Sequence, residues 1–309
     1  MLDTVFFDSR MSDQLRREQL YKGRLFVFSP CPSTVELCDF ARRMINKAFD
    51  GRDPRTAQFS MRVEEFVSIC AQLKPAFIHH PKTLSLIKDV VAELGCFLYD
   101  TYIDVPRLRM VTHGGYLTSG VGYAHHPHRD TWYSAPMCQI NWWLPIYPFE
   151  AESAMAFHPR YWDQPVRNGS SSFNYYRWNA DGRANAAKHI SSDTRVQPRA
   201  EEPLELEPQI RLVCPPGGSL LFSAAQLHST VQNTSGLTRY SLDFRTVNIG
   251  DVVARKGAQN IDSRATGTSL RDFRRAEGLA PIPEDLVRAY DRDSPQEGIL
   301  VFEPTSKAS

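Results

Sequence analysis

The stretch Arg239-Tyr240-Ser241-Leu242-Asp243-Phe244-Arg245-Thr246-Val247 is the one on which the fold turns. Side chains of an extended strand alternate between its two faces. Arg239, Ser241 and Asp243 therefore face one way, and Tyr240, Leu242 and Phe244 the other. A strand whose inward face is charged needs partners for those charges. The pattern predicts a sheet with one apolar face packed on a core and one polar face lining a pocket.

Working outward, further strand signals follow the same period of two. They are Phe97-Leu98-Tyr99, Leu108 to Thr112, Gln139 to Ile146, Arg211-Leu212-Val213 and Ser219 to Phe222. Turns such as His113-Gly114-Gly115 and Pro215-Pro216-Gly217-Gly218 separate them, with no helix of crossover length between most. That favours an antiparallel barrel or sandwich over a doubly wound sheet. The first third reads as helical instead. Ser33-Thr34-Val35-Glu36 resembles a capping box ahead of apolar positions at helical spacing. A second helix is predicted over 62–73 and a third from Pro81 to Leu94, ended by Gly95. The expected class is mainly β with α: a double-stranded β-helix, a jelly-roll or cupin-like barrel, under an N-terminal helical layer. We divide one domain into that layer (1–96), a jelly-roll core (97–250) with an insertion (149–208), and a C-terminal extension (251–309) with a helix over 283–292.

The chain has 36 basic and 35 acidic residues in 309, a formal net charge of +1. No strong field is available to draw nucleic acid or an anionic membrane, and neither is expected as a partner. Six scattered cysteines without a Cys-x-x-Cys pair read as free thiols in a reducing cytoplasm. The N-terminus shows no apolar core of a signal peptide.

The chemistry concentrates in His125-His126-Pro127-His128-Arg129-Asp130. In an extended segment His128 and Asp130 share a face and can converge on one metal ion. His228, which follows the strand Ser219 to Ser223, is the candidate third ligand. Two histidines and one carboxylate form a facial triad that leaves open positions on ferrous iron. Arg239, eleven residues past His228, offers a planar fork of donors to a carboxylate.

This ordered set, His-x-Asp, a distant His and then Arg-x-Ser, resembles the phytanoyl-CoA dioxygenase-like group of iron(II)- and 2-oxoglutarate-dependent oxygenases. The resemblance covers about residues 97 to 247. It implies that His128, Asp130 and His228 hold iron(II), and that Arg239, with Ser241 as helper, grips the distal carboxylate of 2-oxoglutarate. It further implies O2 as cosubstrate, and release of succinate and CO2 as a small-molecule substrate is oxidised. Because Asp130 is kept, hydroxylation or another oxidation is favoured over halogenation.

Around that centre, Gln139 and Asn141 alternate on one strand face and are candidates to contact 2-oxoglutarate or substrate. His113, His126, Arg109 and Trp178 are candidates for the pocket's surroundings. His126 shares a face with His128 but lacks the spacing to Asp130 and reads as support. The irregular 149–208 stretch is expected to be a substrate-ordered lid, with a hinge at Asn168 to Ser172 and an exposed cluster of Phe173, Tyr175, Tyr176 and Trp178. Two other readings of the same residues stand beside the oxygenase. One is a metal-dependent hydrolase or isomerase on a cupin-like barrel, which needs no Arg239. The other is a barrel that only binds a small ligand.

Overall fold

A computed structural model describes residues 4–118, 122, 124–182 and 197–291. Eleven strands and seven helices are named in it: β1 (Val5–Phe7), α1 (Asp13–Leu20), β2 (Leu25–Phe28), α2 (Pro32–Ala48), α3 (Val63–Ile78), α4 (Pro81–Glu93), β3 (Thr101–Ile103), β4 (Arg107–Val111), β5 (Ile140–Pro145), β6 (Met155–Phe157), the single turn α5 (Tyr175–Arg177), β7 (Ile210–Arg211), β8 (Ser219–Ser223), β9 (His228–Thr230), β10 (Arg239–Asn248), α6 (Ile249–Ala254), β11 (Arg274–Arg275) and α7 (Glu284–Tyr290).

The strands form two sheets. The larger runs β1-β2-β8-β5-β10-β3-β11, with β4 also paired to β10, and the smaller runs β7-β6-β9. All pairings are antiparallel except β1 with β2. This is the sheet-rich jelly-roll class with a helical layer, though among the described residues the two sheets do not join into a closed barrel. Ten residues long, β10 is the spine of the large sheet. It pairs with β5 over 241–246, with β4 over 239–243 and with β3 over 246–248.

The alternation along β10 divides the molecule. Tyr240, Leu242 and Phe244 face the helices and join Trp142, Leu144, Leu108 and Leu221 with α2, α3 and α4 residues in the main core. Trp142 stacks on Phe244 with ring centroids 5.4 Å apart. The other face of the sheet turns toward β6 and β9. There Trp143, Leu220 and Phe222 pack on Met155 and Phe157 in a second cluster. The turn before β8 follows from its residues. Gly218 N–H donates to Pro215 O at 2.8 Å, with Pro216 and a positive-φ Gly217 between them. Proline sets the first corner of such a turn and only glycine enters the second without strain.

Several expected boundaries differ. Residues 97–99 form a turn rather than a strand, with Phe97 and Tyr99 more than half exposed, and the strand begins at Thr101. β7 is two residues long because Leu212 and Val213 leave the ladder. The box expected at Ser33 lies two residues earlier. Pro32 occupies the first helical turn, so Cys31 caps α2 and Thr34 Oγ1 accepts from Cys31 N–H at 2.9 Å. α3 continues through Pro75 to Ile78 and buries Phe77. β1, α1 and β2 were not foreseen. Among the described residues no helix is long and apolar enough to cross a membrane. All six cysteines are free thiols, as expected, and five are buried.

Candidate metal centre

Between the polar face of the large sheet and the small sheet lies a cavity of about 470 Å³. Three side chains converge on it. The ligating atoms of His128, Asp130 and His228 lie within 4.8 Å of one another, and all three residues are buried.

Backbone pairing brings the two histidines together. His128 N–H donates to His228 O at 2.9 Å, and His228 N–H donates back to His128 O at 3.0 Å. This doubly bonded antiparallel pair leaves the imidazole centroids 4.4 Å apart. Asp130 arrives differently from the extended segment expected. Arg129 is extended, but Asp130 opens a 3₁₀ turn over Asp130–Tyr133. The one extended residue suffices to return the carboxylate to the face of His128, with Oδ1 3.4 Å from His128 Nε2 and 3.9 Å from His228 Nε2.

Each ring is oriented by its other nitrogen. His128 Nδ1 stands 2.7 Å from His126 O, and His228 Nδ1 stands 2.9 Å from Gln226 O. A carbonyl only accepts, so both Nδ1 atoms carry the proton and both Nε2 lone pairs point inward. Burial, then the neighbouring His128, lowers the His228 pKa to about 4, which keeps that ring neutral at pH 7. For Asp130, burial raises the pKa, whereas a proton on the facing Nε2 of His128 or His228 outweighs burial and lowers it to about 2. Two imidazole nitrogens and one carboxylate are a donor set suited to a divalent transition metal.

The other oxygen of Asp130 faces Gln139 Nε2 at 3.4 Å and Arg245 Nη2 at 3.7 Å. Gln139 also donates to Asn141 Oδ1 at 2.9 Å. Gln139 and Asn141 both line the cavity.

Arg239 enters from the far end of β10, where its guanidinium lies over the Trp143 ring at 5.4 Å. Nη1 donates to Ser153 O at 2.6 Å, while Nε is buried without a hydrogen-bond partner. No carboxylate among the described residues forms an ion pair with it, and burial outweighs the more distant pull of Asp243 and brings its pKa down to about 10. Two residues along the same face, the fully buried Ser241 hydroxyl also has no partner. The other cavity arginines are matched. Arg109 Nε meets Asp243 at 2.7 Å, Arg107 meets Asp104 at 2.6 Å, and Arg245 sits among Asp104, Asp130 and Asp243.

The remaining candidates divide. Arg109 and Trp178 line the cavity. His126 does not. Its ring bonds Pro198 O at 3.0 Å, and it serves the centre through its carbonyl. His113 is also outside the lining, accepting from Gly236 N–H at 3.0 Å in a loop contact. The cluster expected to be exposed is not. Phe173, Tyr175 and Tyr176 are buried against the C-terminal extension, where Tyr175 bonds Asp272 and Tyr176 bonds Asp291. The expected hinge is tied as well, with Asn168 Nδ2 donating to Val166 O and Asp262 O. Residues 183–196 of the expected lid lie outside the described residues.

Two supporting residues went unforeseen. Arg129, between the two ligands of His-x-Asp, points away from the cavity and is 2% exposed. It pairs with Asp262 at 3.0 Å and donates to Ala225 O at 2.6 Å and to Gln164 O at 3.0 Å. It thereby joins the His128 segment, the loop leading to His228 and the C-terminal extension. The signal was available: when residues i and i+2 face a site, residue i+1 faces the protein behind it.

No family model matches the chain, and no curated protein matches it. Solved structures with a related shape include EvdO2 from Micromonospora carbonacea var. aurantiaca complexed with 2-oxoglutarate, at 11% identity, TM-score 0.45, over 77% of this chain and 91% of that one. The non-heme alpha ketoglutarate dependent epimerase SnoN from nogalamycin biosynthesis is similar at 13% identity, TM-score 0.37, over 76% and 82% of the two chains. AviO1 from Streptomyces viridochromogenes Tue57 is similar at 12% identity, TM-score 0.37, over 78% and 97%. At such low scores the likenesses lend a functional reading no weight.

Proposed function

We propose that this chain is an iron(II)- and 2-oxoglutarate-dependent oxygenase of the phytanoyl-CoA dioxygenase-like type, which hydroxylates a C–H bond of a small molecule. One observation carries the reading. A two-imidazole, one-carboxylate group shares its cavity with a buried guanidinium that has no carboxylate partner.

The donor set fits iron(II), which accepts imidazole and carboxylate and keeps positions free for other ligands. Arg239 fits the cosubstrate. A desolvated cation with an unused N–H is costly unless an anion completes it. The distal carboxylate of 2-oxoglutarate supplies that anion, and the unpartnered Ser241 hydroxyl offers it a further donor. When bound, iron(II), 2-oxoglutarate and O2 supply the oxidising chemistry and yield succinate and CO2. The chain's own residues position and protect. His126 O and Gln226 O hold the imidazoles, Gln139 and Arg245 steady Asp130, and the apolar walls limit water. Gln139 and Asn141 face either the keto acid end of 2-oxoglutarate or the substrate.

A Lewis-acid hydrolase would use the same three ligands but has no need of Arg239. Succinate release separates the two. With iron(II), 2-oxoglutarate and O2, the protein is expected to turn 2-oxoglutarate over slowly even without substrate. Arg239→Gln is expected to raise the 2-oxoglutarate requirement by the equivalent of about 2–4 kcal/mol while metal affinity stays close to wild type. An unchanged requirement in Arg239→Gln would remove the carboxylate clamp from this residue. Metal binding without any 2-oxoglutarate consumption would favour the hydrolase.

A further inference from the structure

The cavity has more room than the metal group and Arg239 use, and its remaining walls differ sharply in chemistry. One is aromatic and starts at the metal group itself. The Tyr133 ring stands edge-on to His128 at 5.5 Å, Phe173 stands edge-on to Tyr133 at 5.3 Å, and Trp178 follows Phe173 at 5.9 Å. All three line the cavity. The facing wall is charged, but each of its arginines already faces an aspartate: Arg107 meets Asp104, Arg109 meets Asp243, and Arg245 lies among these two and Asp130. Tyr175, bonded to Asp272, lines the same cavity as Arg107, whose charge Asp104 supports most.

From these walls we infer that the chamber beside the metal group binds a neutral ring system that is aromatic on one face and carries hydroxyl or carbonyl oxygens on its edge. This inference rests on the oxygenase reading only in calling the occupant a substrate. The aromatic wall favours an unsaturated ring, because aromatic pairs gain from offset or edge-to-face geometry beyond the area they bury. The matched ion pairs favour neutrality. A charged ligand would compete with an existing partner, whereas a hydroxyl can donate to a paired carboxylate or accept from a paired guanidinium without breaking the pair. The volume suits a small molecule rather than a polymer segment.

Three matched probes test this on the full chain by calorimetry: 2-naphthol, its saturated counterpart decahydro-2-naphthol, and 2-naphthoate. Titrations are run on metal-free protein and again with iron(II) and 2-oxoglutarate under anaerobic conditions. 2-Naphthol is expected to bind about 3- to 10-fold more tightly than the saturated alcohol, the advantage expected of aromatic pairing. Trp178→Leu is expected to erase most of that difference, and Phe173→Leu, the more buried change, to do the same in its folded fraction. 2-Naphthoate is expected to bind only through Arg239, and so to lose its affinity in Arg239→Gln while 2-naphthol keeps it. Equal binding of the saturated alcohol, no binding of 2-naphthol, or naphthoate binding that survives Arg239→Gln would each overturn the inference. None of these readouts requires turnover. If the oxygenase reading failed, 2-oxoglutarate consumption would be absent while 2-naphthol still bound the metal-free protein.

Discussion

At the scale of single residues, the centre depends on groups that never touch the metal. Arg129 is the clearest. Its guanidinium is buried against an equally buried Asp262 and reaches carbonyls on two other segments. Removing one member of such a pair leaves the other charged, buried and unmatched, a change that costs on the order of 3–5 kcal/mol. Arg129→Met is therefore expected to lower the denaturation midpoint strongly, and Arg129→Met with Asp262→Asn to recover part of the loss. A double variant no more stable than the single one in urea unfolding would mean that the hydrogen bonds to carbonyls dominate, not the ion pair. The three candidate ligands and Arg239 were legible in the sequence because their chemistry has few alternatives at that spacing. Asp262 was not, since it lies 132 residues beyond Asp130 and nothing local marks it. His113 and His126 were legible only as histidines, and the fold uses one ring for a loop and the other residue through its backbone.

At the scale of elements, β10 was the best-read part of the chain. Alternation survives because a slip of one residue would put Arg239 and Asp243 into the helical core and Tyr240 and Leu242 into the cavity. The short strands were read less well. β1, β3 and β7 have two or three residues each, too few for a period of two to stand out, and β3 and β7 pair with strands remote in sequence. The small sheet carries a pH-dependent joint at its edge. His158, just past β6, bonds Leu206 O through Nδ1 and Ser229 Oγ through Nε2. Burial, its largest influence, lowers its pKa from 6.5 in the folded protein. The unfolded chain then takes up a proton that the native state refuses. Stability is complete above about pH 6.5 and is lost as pH falls below it, until the folded-state pKa is reached. His158→Gln is expected to flatten this fall below about pH 6.5 in metal-free protein. An identical acid profile in the variant would assign the loss to the other buried histidines.

At the scale of the whole molecule, the C-terminal extension is what the sequence concealed. Expected to be an extension with one helix, it instead covers the region expected to be a substrate-ordered lid. Tyr175 N–H donates to Thr266 O and Thr266 N–H donates to Phe173 O, so the two segments are stitched together through their backbones. Hydrogen exchange is expected to find the amides of Phe173, Tyr175 and Trp178 protected before any ligand is added. Exchange as fast as that of an open chain would restore the lid. The extension also reaches the metal group through Asp262 and Arg129, so the site draws on residues from 128 to 262.

The central claim is that His128, Asp130 and His228 together hold iron(II) beside a 2-oxoglutarate held by Arg239. Anaerobic titration of iron(II) in the presence of 2-oxoglutarate tests it most directly, through the charge-transfer absorption of the chelate. The wild type is expected to saturate at one iron per chain. His128→Ala, Asp130→Ala and His228→Ala are each expected to lose most of the band, and His126→Ala to keep it. A band of undiminished intensity in all three ligand variants would contradict the assignment.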